Sequence, residues 1–94
     1  MSYVIVRLTV EDFAKWKAVF DELGALRKNS GPKGGQLFRK ADSPNEVVII
    51  FEWSDLDKGR DYFQSDALRQ AMQRGGVMGR PEVTFLDSVE RLAV

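Results

Sequence analysis

Four side chains combine useful chemistry with suggestive placement: Arg7, Glu52, Trp53 and Tyr62. Arg7 is a permanent cation whose donor fork suits a carboxylate or a developing oxyanion. Glu52 supplies a carboxylate that can set the position of Arg7. Trp53, next in sequence, offers a flat face on which a ring can stack. Tyr62 carries a phenol able to give a hydrogen bond or a proton to a substrate oxygen. The composition removes the commoner alternatives. There is no cysteine, so disulfides, thiolate metal sites and a cysteine nucleophile are excluded. There is no histidine, so the usual general base and the commonest metal and haem ligands are missing. Ser-His-Asp and Cys-His catalysis go with them.

Other patterns are better read as structure. Gly31-Pro32-Lys33-Gly34-Gly35 lacks the spacing of a phosphate loop. Gly75-Gly76-Val77-Met78-Gly79 lacks G-x-G-x-x-G and does not follow a strand. Both read as helix ends and turns. Asp55 and Asp57 form a D-x-D, but at a helix start, where acids favour the helix dipole. Arg69, Arg74 and Arg80 outnumber Asp66 in their stretch and read as a solvated helix face.

The elements that must carry these residues can be traced by period. Tyr3 to Val10 is β-branched and reads as a strand. Thr9 with Asp12 suggests a helix start, and Phe13, Trp16, Phe20 and Leu23 recur at helical spacing, giving one helix to about Lys28. Gly35 to Ala41, a mixed segment with Leu37 and Phe38, and Val47 to Trp53 read as a hairpin around the turn cluster Asp42-Ser43-Pro44-Asn45. Ser54 with Asp57 suggests a second helix start. Leu56, Tyr62, Phe63, Leu68 and Met72 continue that helix, with a break at Ser65-Asp66. Gly75-Gly76 closes it, and Pro81 leads into a last strand from Val83, continuing toward Leu92.

The order β-α-β-β-α-β predicts an α+β fold: a ferredoxin-like split β-α-β, with a four-stranded antiparallel sheet and two helices on one face. One domain over residues 1–94 is expected. If Val4, Val6 and Leu8 face the helices, then Tyr3, Ile5, Arg7 and Thr9 face away, together with Val48, Ile50 and Glu52. Arg7 and Glu52 are then expected to meet, either as a ligand site or as an ion pair that fixes register. Trp53 and Tyr62 each keep two readings, as ligand contacts or as packing. The second sheet face is too apolar for water, which predicts a two-fold homodimer packed sheet against sheet.

The 14 basic and 14 acidic residues cancel, so no nucleic-acid partner is expected. The longest apolar run, Val47 to Phe51, is far short of a membrane span. Tyr3-Val4-Ile5-Val6 meets Arg7 at once, so no secretory leader is expected and the cytoplasm is the expected compartment.

Phe51-Glu52-Trp53, then Tyr62-Phe63-Gln64-Ser65, then Leu68 and Met72, resemble the antibiotic biosynthesis monooxygenase-like family of the dimeric α+β barrel superfamily. The element order matches over nearly the whole chain. The resemblance implies a homodimer with a pocket between sheet and helices in each protomer. It implies a small enzyme that oxidises a flat aromatic, polyketide-like substrate with oxygen and no cofactor. In that reading Arg7 and Tyr62 are catalytic, and Trp53, Glu52, Tyr3 and Phe38 bind substrate. The chain departs from the family at Tyr62, where a histidine is frequent, so haem degradation is not expected. The alternative is a non-catalytic dimeric protein that binds a small apolar aromatic ligand or serves a stress-associated role.

Overall fold

The computed structural model describes residues 2–93. Its elements are β1 (Ser2–Val10), α1 (Phe13–Glu22), α2 (Gly24–Asn29), β2 (Pro32–Lys40), β3 (Ser43–Trp53), α3 (Leu56–Phe63), α4 (Asp66–Arg74) and β4 (Val77–Asp87). The four strands form one antiparallel sheet in the order β2-β3-β1-β4. This is the expected ferredoxin-like arrangement, with β1 and β3 as central neighbours.

Helix starts are set by short side chains at the helix ends. Asp12 caps α1 by accepting from the Lys15 N–H at 3.2 Å. The expected start at Thr9 fails because Thr9 is still in the sheet, paired with Glu46 and Met78. Likewise Asp55, not Ser54, caps α3, accepting from the backbone of Asp57 and Lys58. Ser65 caps α4 through the Leu68 N–H, so the break expected at Ser65-Asp66 is present. The first helix also divides, at Leu23, which the periodicity did not indicate because its apolar stripe runs straight through the joint. The hairpin strands start earlier than expected: β2 takes in Pro32 to Gly34 before the expected Gly35, and β3 takes in Ser43 to Glu46 before the expected Val47. The last strand starts at Val77 and stops at Asp87 without reaching Leu92.

One face of the sheet is covered by the helices. Val4, Val6 and Val10 of β1 are buried with Val47, Ile49, Phe51 and Trp53 of β3. Trp16, Tyr62, Leu68 and Ala71 close over them from the helices. The opposite face carries Tyr3, Ile5, Val48 and Ile50, half-buried, while Phe38, Met78 and Leu86 are exposed. Among the described residues no helix is long and apolar enough to cross a membrane.

Trp53 anchors the covered face. It is 0% exposed, and its indole N–H donates to the Ser30 carbonyl at 2.9 Å. A Cβ at Gly59 would lie 3.5 Å from the indole ring, so α3 rests directly on it. That distance is ordinary contact and leaves room for one methyl. Replacing Trp53 by Ala should therefore cost about 3–5 kcal/mol in urea denaturation. Gly59→Ala should be neutral or stabilising by up to about 1 kcal/mol, since Ala favours a helix. Gly59→Leu should destabilise by forcing α3 off the indole, and equal stability of the Leu and Ala variants would refute this packing.

Candidate functional site

The helix-facing side of the sheet holds a cavity of about 270 Å³. The sheet contributes Val6, Ile49 and Phe51 to its wall. From α1 come Trp16 and Phe20, whose rings stack at 4.9 Å. Tyr62 and Phe63 of α3 and Met72 of α4 line the other side. This lining follows from sequence: the same helical stripe that builds the core stops short of filling the space between α1 and α4. Only three side chains on the wall carry a hydrogen-bonding nitrogen or oxygen: Trp16, Tyr62 and Arg80. An apolar cavity with few polar groups is the ordinary form of a small-molecule site.

Tyr62 is 5% exposed and sits on the aromatic cluster, 5.6 Å from Trp53 and 5.0 Å from Phe63 between ring centres. Burial raises its phenol above the usual tyrosine value, and the nearby Arg27 guanidinium partly offsets that shift. At neutral pH Tyr62 is therefore a hydrogen-bond donor rather than a phenolate.

Arg80 was expected on a solvated helix face but lies on β4, through an irregularity in the sheet. Arg7 pairs with Glu82 and Thr9 with Met78, so β4 uses extra residues between those two points. Gly79 takes a φ of +70° there, which a glycine adopts without strain. The result is that Arg80 lines both the inner cavity and the cleft on the opposite sheet face. The sequence held a signal for this: a glycine and a proline flanking Arg80 inside a strand mark a bulge.

The remaining expected site residues fall elsewhere. Arg7, Tyr3, Glu52 and Phe38 are all on the uncovered face, away from Tyr62. Arg7 and Glu52 do not meet. Arg7 pairs with Val48 and Glu82, whereas Glu52 pairs with Tyr3. Four residues of strand separate Tyr3 from Arg7, roughly 13 Å. The alternation that placed both on one face was right, but the register offsets them. Tyr3, Glu52 and Phe38 do come together, around a shallow depression that also includes Ile50. Trp53 belongs to the core and does not line the inner cavity.

The fold and sequence have counterparts among known proteins. The sequence profile of the antibiotic biosynthesis monooxygenase family matches residues 1–74. A curated relative from Natronomonas pharaonis, provisionally named a heme-binding protein, is 32% identical over 89 residues. The match takes in 92% of this chain, and the chain spans 14% of that relative's length. SnoaB, a cofactor-independent oxygenase from Streptomyces nogalater, superimposes with a TM-score of 0.77 at 21% identity, covering 97% of this chain and 95% of SnoaB. The monooxygenase ActVA-Orf6 of Streptomyces coelicolor, solved with the ligand nanaomycin D, gives a TM-score of 0.70 at 19% identity, covering 99% and 91%. At those identities the two structures speak to the fold, while the profile match covers most of the sequence. The chain belongs to the antibiotic biosynthesis monooxygenase family.

Proposed function

We propose that the inner cavity binds a flat aromatic phenol of two or three rings and that the protein oxidises it with dioxygen, without a cofactor. The observation that carries this reading is the cavity itself: an aromatic-walled space whose polar side chains are few and include a protonated phenol and a guanidinium. SnoaB's description as a cofactor-independent oxygenase supports it. The balance requires no co-reactant beyond oxygen. A ring CH₂ opposite the phenol becomes a carbonyl, one oxygen atom enters the product, and the other leaves as water. The substrate supplies all four electrons. Electron-rich phenolates react with oxygen themselves, so the protein's part is to bind, orient and exclude water. Arg80 at the cavity wall takes the phenolate-stabilising role first given to Arg7, and Tyr62 donates to a substrate oxygen.

A haem does not fit this site. The chain has neither histidine nor cysteine. Methionine serves haem together with histidine, and tyrosine serves it as a phenolate. Tyr62 is the tyrosine on the cavity wall, and burial holds it protonated.

Oxygen uptake with 1,8-dihydroxy-9-anthrone tests the reading. Turnover above the uncatalysed rate is expected, with kcat/KM reduced about 100-fold in Arg80→Gln. Binding without oxygen uptake would replace the enzyme reading with a ligand-binding one.

Tyr62 also gives a pH signature. Its folded-state pKa lies above the unfolded value of about 10. The associated stability is therefore complete below about pH 10 and declines as pH rises through the folded value. The stability difference between wild type and Tyr62→Phe should be constant from about pH 7 to 9 and shift against the wild type above about pH 10. A difference that stays flat to high pH would place the phenol in water.

We further propose that the uncovered sheet face pairs with a second copy. Val48, Ile50, Phe38, Met78 and Leu86 form an apolar surface with no helix over it. Sedimentation should give a dimer, and Ile50→Glu should give a folded monomer. A monomeric wild type would refute the pairing.

A further inference from the structure

Beside the inner cavity, between α2 and β2, lies a second cleft of about 390 Å³. Phe20, Ile49 and Phe51 belong to the walls of both, so the two spaces adjoin. Their chemistry differs sharply. The second cleft carries Arg27, Lys28 and Lys33, and no carboxylate side chain is on its wall. The nearest acids in sequence are already engaged: Asp21 with Lys17 at 2.7 Å, and Glu22 with Arg74 at 3.0 Å. Among the described residues none of the three cations forms a salt bridge. Arg27 is held in place, stacked 3.9 Å above the Phe20 ring and donating to the Phe20 carbonyl at 3.0 Å.

The end of a helix favours cations, which accounts for Arg27 and Lys28 being there. It does not account for the open space between them and the sheet. Gly24, Gly34 and Gly35 line that space. A Cβ at Gly35 would fall 3.2 Å from the Phe51 ring and 2.8 Å from the Ile50 carbonyl. The absence of side chains at these positions keeps the cleft open next to its cations.

We propose that this cleft holds the carboxylate of an aromatic acid whose ring system occupies the apolar cavity. The inference rests on the ligand-binding reading of that cavity and adds the charge of the ligand and the end that bears it. Arg27 and the two lysines bind the anion through charge-assisted hydrogen bonds, while Phe20 and Phe51 guide the ring inward.

The test compares 2-naphthoic acid with 2-naphthamide, which share a ring system and differ in charge. Titrations followed by calorimetry should show the acid binding about tenfold tighter at low salt. That preference should vanish near 1 M sodium chloride, where charges are screened beyond about 3 Å. Lys28→Gln/Lys33→Gln, both exposed positions, should bring the acid to amide ratio close to one while leaving amide binding unchanged. Arg27→Gln should do the same, and the lysine double variant remains decisive if loss of the Arg27–Phe20 stack impairs folding. Equal binding of acid and amide would overturn the inference and leave the cavity reading standing. An acid preference that survives the lysine double variant but is lost in Arg80→Gln would put the anion at Arg80 and overturn it too. Failure of both probes to bind folded protein would overturn the inference together with the cavity reading.

Discussion

The structure depends on one buried indole. Trp53 ends the central strand β3 and is enclosed between two glycines. A Cβ at Gly31 would sit 3.5 Å from its ring nitrogen, and one at Gly59 would sit 3.5 Å from its ring carbons. Its N–H is satisfied by the Ser30 carbonyl, so a polar atom is buried without penalty. Through this side chain the end of the first helical layer, the sheet and the start of the second layer are fixed together. The position of α3 follows, and with it Tyr62 and Phe63. The cavity wall on that side is thus set by a residue that does not itself touch the cavity.

On the other side of the cavity the constraint is backbone rather than side chain. The irregularity around Gly79 lets β4 change pitch against β1, and Arg80 gains access to both sheet faces. A regular strand would have committed Arg80 to one face only, since alternation is strict where register is continuous. The sheet therefore separates two chemistries while one residue bridges them. The uncovered face is apolar with Arg7 and Glu82 opposite one another, and the covered face is an aromatic-lined cavity.

Much of the fold was legible because it is written in period. The helical recurrence of Phe13, Trp16 and Phe20, the dense β-branched run ending at Trp53, and Ser65 as a breaker each have a local physical cause. The assignment of faces was legible for the same reason. What escaped was register and irregularity. Whether Arg7 lies opposite Glu52 or Val48 is a register between β1 and β3, strands far apart in sequence that no tight turn fixes, and Pro44 and Asn45 looked like turn residues although they belong to β3. Lys33 to Gly35 looked like a turn, yet all three residues belong to β2 and line a cleft, and at Gly35 the missing side chain permits close approach to Ile50 and Phe51 of β3. Trp53 kept two readings because a tryptophan at a strand end is equally at home at a pocket mouth or in a core. Only the helix above it decides, through Gly59 of α3, where the backbone rests on the indole.

The absence of histidine gains meaning from this geometry. An imidazole in the cavity would bring a titrating charge into an otherwise apolar space at physiological pH. Tyr62 brings a donor that stays neutral there, because burial opposes its ionisation more than Arg27 favours it. A neutral donor can orient an oxygen without competing for the proton that an electron-rich phenol must lose. On the proposed reading, the base for that proton lies outside the wall, in solvent or on the ligand. The Arg80 guanidinium, with donors and no acceptor, is suited to holding the resulting phenolate and unsuited to removing the proton. On the proposed reading, such a site would work by stabilising one ionisation state of its guest and by keeping water away from it, which is the contribution that direct reaction with oxygen leaves for a protein to make.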